Sequence, residues 1–182
     1  GGTDHFINHL LPRIGVESVG IRADHNKKDI IEMIEATGKA DKLAMIYLET
    51  PANPTNAVMD ISMCREIGDM YKTEEKEVIL AVDNTYMGPI WCHPMEHGAH
   101  LVIYSATKYI GGHSDLIAGA VLGKQEHMNR VKILRTFLGN MASPNTCWLL
   151  TRSLETLKIR MDQQMQNAKA VAQKFRDHDM IT

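Results

Sequence analysis

The residues of this chain that could do chemistry stand just after its most apolar runs. Asp83 follows VILAV, in Asp83-Asn84-Thr85-Tyr86. Lys108 ends Ser105-Ala106-Thr107-Lys108, which follows LVIY, and Glu49-Thr50-Pro51-Ala52-Asn53-Pro54 follows LAMIYL. An acid, an amine and two hydroxyls at one place suit an aldehyde compound that carries a ring nitrogen and a phosphate. The amine would form an imine with the aldehyde. The acid would keep the ring nitrogen protonated, so that the ring accepts electrons. Hydroxyl and backbone donors would hold the phosphate. A lysine partly desolvated at a strand exit is a nucleophile. Ser105 and Thr107 are two apart, so an extended segment turns both to one side. The same residues also fit plainer roles: a capping Asp, a surface Lys, and hydroxyls that cap a helix.

These residues can meet only if the apolar runs are neighbouring strands. Runs at 43–48, 78–82, 101–104 and 117–122 predict strands, the first nearly continuous, as in strands buried on both faces. A further short strand is predicted over 18–21. Helical spacing is predicted over 28–36, with Gly38 as a stop, and over 61–70, 127–137, 146–157 and 160–175. A short helix over 6–11 is expected to end near Pro12, and Pro51 and Pro54 to force a turn. Strands alternating with helices predict an α/β fold with a mainly parallel sheet flanked by helices. In such sheets ligands sit at the carboxyl ends of the strands.

Composition removes other classes. A net charge of −2 gives no polyanion-binding face, so nucleic acid is not an expected partner. No apolar run approaches the roughly 18 residues of a membrane helix, and no signal peptide opens the chain. Cys64, Cys92 and Cys147 are far apart and form no CxxC pair, so neither a metal site nor a disulfide framework is expected, and free thiols suit a cytoplasmic protein. The methionines read as core filling. His93, His97 and His100 lie near Cys92, but Pro94 and Gly98 interrupt them, which predicts a polar turn. His113 is expected to be structural, Gly111 and Gly112 to permit a tight backbone path, and Glu74, Glu75 and Lys76 to form a solvated loop.

Longer strings add a resemblance. ETPANPT at 49–55, VDNTYMGP at 82–89, YSATKYIGGHSDLIAG at 104–119, the opening GGT, RSLETLKIRM at 152–161 and the 25-residue interval from Asp83 to Lys108 closely resemble the Cys/Met-metabolism PLP-dependent enzymes. That family includes cystathionine γ-synthases, cystathionine β- and γ-lyases, methionine γ-lyases and O-acetylhomoserine sulfhydrylases. The resemblance implies pyridoxal 5′-phosphate and the central part of the large domain of a fold-type I (aspartate-aminotransferase-like) enzyme. Residues 1–157 would be the cofactor-binding core, and 158–182 a long helix leading to a C-terminal domain. Lys108 would be the Schiff-base lysine and proton shuttle, and Asp83 would pair with the pyridine nitrogen. Ser105 and Thr107 would bind the phosphate, Asn53 would sit by the ring hydroxyl and substrate, and Glu49 would support them.

The implied activity is a carbon–sulfur lyase acting at Cγ of a sulfur amino acid, of methionine γ-lyase or cystathionine γ-lyase type. Alternatives are γ-replacement, as in cystathionine γ-synthase or O-acetylhomoserine sulfhydrylase, and a catalytically incomplete α/β piece that keeps only the fold. Gly2 stands where methionine γ-lyases typically carry a cysteine, which argues against assuming methionine as substrate. The family is commonly a homo-oligomer, a dimer or tetramer. It places a ring-stacking tyrosine and a phosphate loop upstream of Gly1, and the arginine for the substrate carboxylate downstream of Thr182. The 182 residues alone are therefore expected to be inactive or nearly so. Measurable release of a 2-oxo acid by them alone would overturn that expectation.

Overall fold

Five-residue apolar stretches separated by helical crossovers dictate how this chain folds. In the computed structural model, which describes residues 2–181, β1 (Met45–Glu49), β2 (Ile79–Asp83), β3 (Leu101–Ser105) and β4 (Gly119–Gly123) form one sheet in the order β1-β2-β3-β4. β1 with β2 and β2 with β3 pair parallel, whereas β3 and β4 pair antiparallel. The sheet is thus mixed. The apolar content of 117–122 predicts a strand but carries no signal of direction. The run also overshoots, since Ile117 is 91% exposed and the strand begins at Gly119.

The helices are α1 (Gly2–His5), α2 (Lys27–Glu35), α3 (Ile61–Met70), α4 (Gly88–Trp91), α5 (Gln125–Leu138), α6 (Pro144–Leu154) and α7 (Leu157–Phe175). Local chemistry sets their starts. Asn26 and Asp29 form a reciprocal capping box on α2, Asp60 accepts from the Met63 N–H at the head of α3, and Ser143 accepts from the Thr146 N–H at the head of α6. α2 and α3 turn Ile30, Ile34, Ile61, Cys64 and Ile67 onto the sheet, against Ile46, Leu48, Leu80, Val82, Val102 and Tyr104. Each such aliphatic side chain, fully buried, contributes about 1.5–3 kcal/mol.

Four expectations are corrected. Residues 18–21 form no strand, and Val16 and Val19 stay exposed with no neighbouring strand to pair them. The first helical segment runs past Pro12 to Ile14 because Pro12 sits in the opening turn of the last helical stretch, where its missing N–H costs nothing; Gly15, at φ 79°, stops it. The predicted 146–157 helix breaks at Glu155–Thr156, so that α7 starts at Leu157 rather than at 160. Met161 fills the core, but Met45, Met70, Met95, Met141 and Met180 are exposed.

The amino ends of β2 and β3 are tied by a histidine. His100 donates its backbone N–H to the Leu80 carbonyl (2.8 Å), and its Nδ1 accepts from the Leu80 N–H (2.8 Å). An imidazole that accepts at Nδ1 carries its proton on Nε2, and this nitrogen meets Glu77 Oε1 at 3.0 Å. His127 Nε2 lies 3.6 Å from Glu77 Oε2, and Arg65, itself paired with Asp69, lies beside the ring. The grouping of Glu77, His100 and His127 looks like a metal cluster. The lone pair a metal needs from His100 is already spent on Leu80, so these residues are a strand tie and not a metal site. His93, His97 and His100 lie in the connection between α4 and β3, as expected of a polar turn, but His100 is buried there.

Burial, above all, pushes the His100 pKa below its ordinary value, against the pull of Glu77. The unfolded chain therefore takes up the proton first. The tie contributes fully above about pH 6.5, and is lost as pH falls from there to the depressed folded value. Urea unfolding at several pH values should show this loss in the wild type and a flatter profile in His100→Gln.

Candidate functional site

The parallel register brings three strand ends to one edge. Glu49 pairs with Asp83, and Asp83 with Ile103, two residues before Ser105. Asp83 Oδ1 accepts from the Thr85 N–H (3.0 Å) and from the Thr85 hydroxyl (2.6 Å). That hydroxyl oxygen in turn accepts from the Ser105 N–H (2.7 Å), which joins the end of β2 to the end of β3. From β1, the Tyr47 hydroxyl reaches Asp83 Oδ2 at 3.3 Å. Burial first, and then the Asp83 charge, push the Tyr47 pKa up to about 12, so the phenol stays a donor at neutral pH. Asn84 turns the other way: fully buried, it donates to the carbonyls of Gly88 (3.0 Å) and Cys92 (2.8 Å) and fixes the loop after β2.

Past Ser105 the chain does not stay extended. Lys108 N–H donates to the Ser105 carbonyl (3.0 Å), Gly111 N–H to Ala106 (2.7 Å) and Gly112 N–H to Lys108 (2.7 Å). The alternation that would turn Ser105 and Thr107 to one side is lost in this turn. The Thr107 hydroxyl donates to the Ala118 carbonyl (3.2 Å) and accepts from the Ala118 N–H (3.0 Å), pinning the turn to the segment before β4. Lys108 is exposed, not partly desolvated as expected. The tight path expected of the glycines is present: a Cβ on Gly111 would come within 2.9 Å of the Ala106 carbonyl, and Gly112 sits at φ 73°. His113 Nδ1 bonds the Gly111 carbonyl at 2.8 Å. Asn53 lies exposed on the loop after β1, its N–H donating to Glu49 Oε1 (3.2 Å).

The donor set suits the expected cofactor. A carboxylate offers about four acceptor positions, and Asp83 uses three of them on Tyr47 and Thr85, which leaves one for a ring N–H. Lys108 presents its amine to solvent, and Ser105 stands half-buried between the two. A separate cavity of about 510 Å³, lined by Ser114, Asp115, Ile117, Asn145 and Thr146 among others, contains none of these residues.

Sequence reading missed Tyr47 and Thr85. Tyr47 shares a strand face with Glu49, two residues on, and Thr85 stands two after Asp83. Both positions were visible, but which hydroxyl meets which oxygen depends on the register of two other strands. Replacing Thr85 by Val keeps the shape and leaves the Ser105 N–H without its acceptor. Denaturant unfolding should show a loss of about 1–3 kcal/mol; an unchanged midpoint would remove Thr85 from this role.

A model of the Cys/Met metabolism PLP-dependent enzymes matches residues 1–182, the whole chain. The chain is 39% identical over 183 residues to an L-methionine gamma-lyase of Porphyromonas gingivalis, covering all of this chain and 43% of that protein. It is 37% identical over 174 residues to the cystathionine gamma-lyase of Homo sapiens, covering 95% of this chain and 40% of that protein. A crystal structure of cystathionine gamma-lyase from Lactobacillus plantarum, complexed with L-serine, superposes with a TM-score of 0.86 at 28% identity, over all of this chain and 45% of that one. The chain spans about two fifths of the length of the curated relatives (43% and 40% for the two named). No helix among the described residues is long and apolar enough to cross a membrane. With its α/β sheet, its strand-end acid and amine and a match over its whole length, the chain belongs to the Cys/Met metabolism PLP-dependent enzyme family, fold-type I enzymes that use pyridoxal phosphate.

Proposed function

We propose that the chain forms the cofactor-binding core of a carbon–sulfur lyase that acts at Cγ of a sulfur amino acid, of methionine γ-lyase or cystathionine γ-lyase type. One observation carries this: Asp83 and the turn bearing Lys108 stand at one sheet edge, joined through Thr85 and Ser105. Relatives named methionine and cystathionine gamma-lyases support the choice of reaction. Pyridoxal phosphate, when bound, supplies an electron sink that makes hydrogens near the substrate amine acidic. Lys108 Nζ would hold the cofactor aldehyde and, when free, would take and return the proton at the substrate Cα. Asp83 holds the proton of the ring nitrogen, with Tyr47 and Thr85 fixing its carboxylate. Ser105 and Thr107 bind the phosphate, which requires Thr107 to share its hydroxyl with Ala118. Asn53 binds beside the ring hydroxyl, and Glu49 steadies that loop.

With water, elimination yields a thiol, ammonia and a 2-oxo acid. Residues 1–157 carry the named site residues, and 158–182, in which α7 continues after a buried first turn, lead toward a C-terminal domain. The three free cysteines fit a cytoplasmic enzyme, and the full-length protein assembles as a homo-oligomer.

Borohydride reduction of the full-length protein with pyridoxal phosphate, followed by peptide mapping, should place a stable pyridoxyl group on Lys108 and on no residue in Lys108→Ala. Labelling of another lysine, or none, would sink the assignment. A 2-oxo acid assay against methionine and cystathionine then separates the substrates, and product from neither would remove the lyase reading.

A further inference from the structure

We propose that Arg160 is a positioning residue for Lys108, holding the turn that carries the lysine against the junction of α6 and α7. This rests on the reading of Lys108 as the cofactor lysine. The guanidinium is a rigid planar fork of donors, and here each arm has a fixed partner. Nε donates to the Thr156 hydroxyl (3.1 Å), which orients the side chain. Nη2 donates to the Ser153 carbonyl (2.9 Å), at the end of α6. Across the gap, Nη1 donates to the Tyr109 carbonyl (2.8 Å) and Nη2 reaches the Ile110 carbonyl at 3.5 Å. Tyr109 and Ile110 are the two residues that follow Lys108. The partners are neutral, so the contact is one of geometry and not of charge neutralisation.

Gly112 supplies an independent observation. Its N–H closes the turn on the Lys108 carbonyl (2.7 Å), and its φ of 73° favours glycine. A Cβ there would lie 2.0 Å from Arg160 Nη1, so the guanidinium fills the space that only a glycine leaves. The turn is therefore gripped from two sides. Thr107 and the Ser105 N–H hold it to the sheet, and Arg160 holds it to the helices. A displacement of the α6–α7 junction would be passed to the backbone of Lys108.

The test uses the full-length protein, with and without pyridoxal phosphate, and the variants Arg160→Met, Arg160→Lys, Gly112→Ala and Gly112→Ala/Arg160→Met. Hydrogen exchange is followed at Gly111 and Gly112 and, for reference, in β2, and the visible band of the bound cofactor is titrated with pH. In Arg160→Met the two turn amides should exchange about tenfold faster, with β2 unchanged and the pH midpoint of the band displaced. Arg160→Lys should recover only part, because it lacks the fork. Gly112→Ala should reproduce the effect, and the double variant should be no worse than the worse single one, since both lose the same contact. Unchanged turn exchange and an unchanged band midpoint, with only the melting temperature lowered, would overturn the proposal, as would additive effects in the double variant. If Arg160→Met does not fold, Arg160→Lys and Gly112→Ala carry the same comparison. Failure of the cofactor reading is distinguishable, because borohydride would then leave wild-type Lys108 unlabelled while the exchange arm still reports on the turn.

Discussion

Three short strands in parallel register decide what meets at the candidate site. Parallel neighbours cannot be joined by a tight turn, so each needs a crossover. Here α3 provides the first, and α4 with the 94–97 turn provides the second. The crossovers return the chain to the same end of the sheet each time, and so every strand leaves at the same edge. Pairing Glu49 with Asp83 and Asp83 with Ile103 sets the polar residues side by side. A one-residue slip of β2 would reverse its faces, turning Asp83 toward the core and the buried Asn84 toward the edge.

The two ends of the sheet carry polar networks of opposite character. At the amino ends, His100, Glu77, His127, Arg65 and Asp69 spend their protons and lone pairs largely on one another and on Leu80. A polar group buried with its partners in place fixes structure and leaves little to offer a ligand. At the carboxyl ends, Tyr47, Asp83, Thr85 and Ser105 are also linked, but Asp83 keeps an acceptor position and Lys108 keeps an exposed amine. The difference leaves unused donor and acceptor capacity at the carboxyl edge, the edge where ligands of α/β sheets generally sit.

The turn after β3 is the tightest part of that edge. Its glycines do separate jobs: Gly111 lets the backbone pass the Ala106 carbonyl, and Gly112 makes room for Arg160. The lysine thus sits on a segment whose path is set by the sheet below it and by the first turn of α7 beside it. Met161, next to Arg160, is fully buried and packs within reach of Gly88, so the start of α7 is anchored to the body of the domain. Farther along, α5 to α7 expose Ile133, Leu134, Phe137, Trp148, Ile159 and Val171.

Four apolar strands, the helix α3 between the first two, the helices after β4 and the polar strings that follow the strands were all legible in the sequence. Those signals are local: apolar runs, helical spacing, the stop at Gly38, and specific strings around Asp83 and Lys108. The tertiary structure alone decided that β4 runs antiparallel, because an apolar run has no direction. It alone left 18–21 unpaired, because a strand exists only if a neighbour takes its hydrogen bonds. It also committed the Thr107 hydroxyl to Ala118, put Tyr47 and Thr85 on Asp83, and brought Arg160 onto the lysine turn. Tyr47 and Asp83 lie 36 positions apart, Thr85 and Ser105 20, and Arg160 and Tyr109 51, and such contacts follow from packing and register rather than from any local pattern.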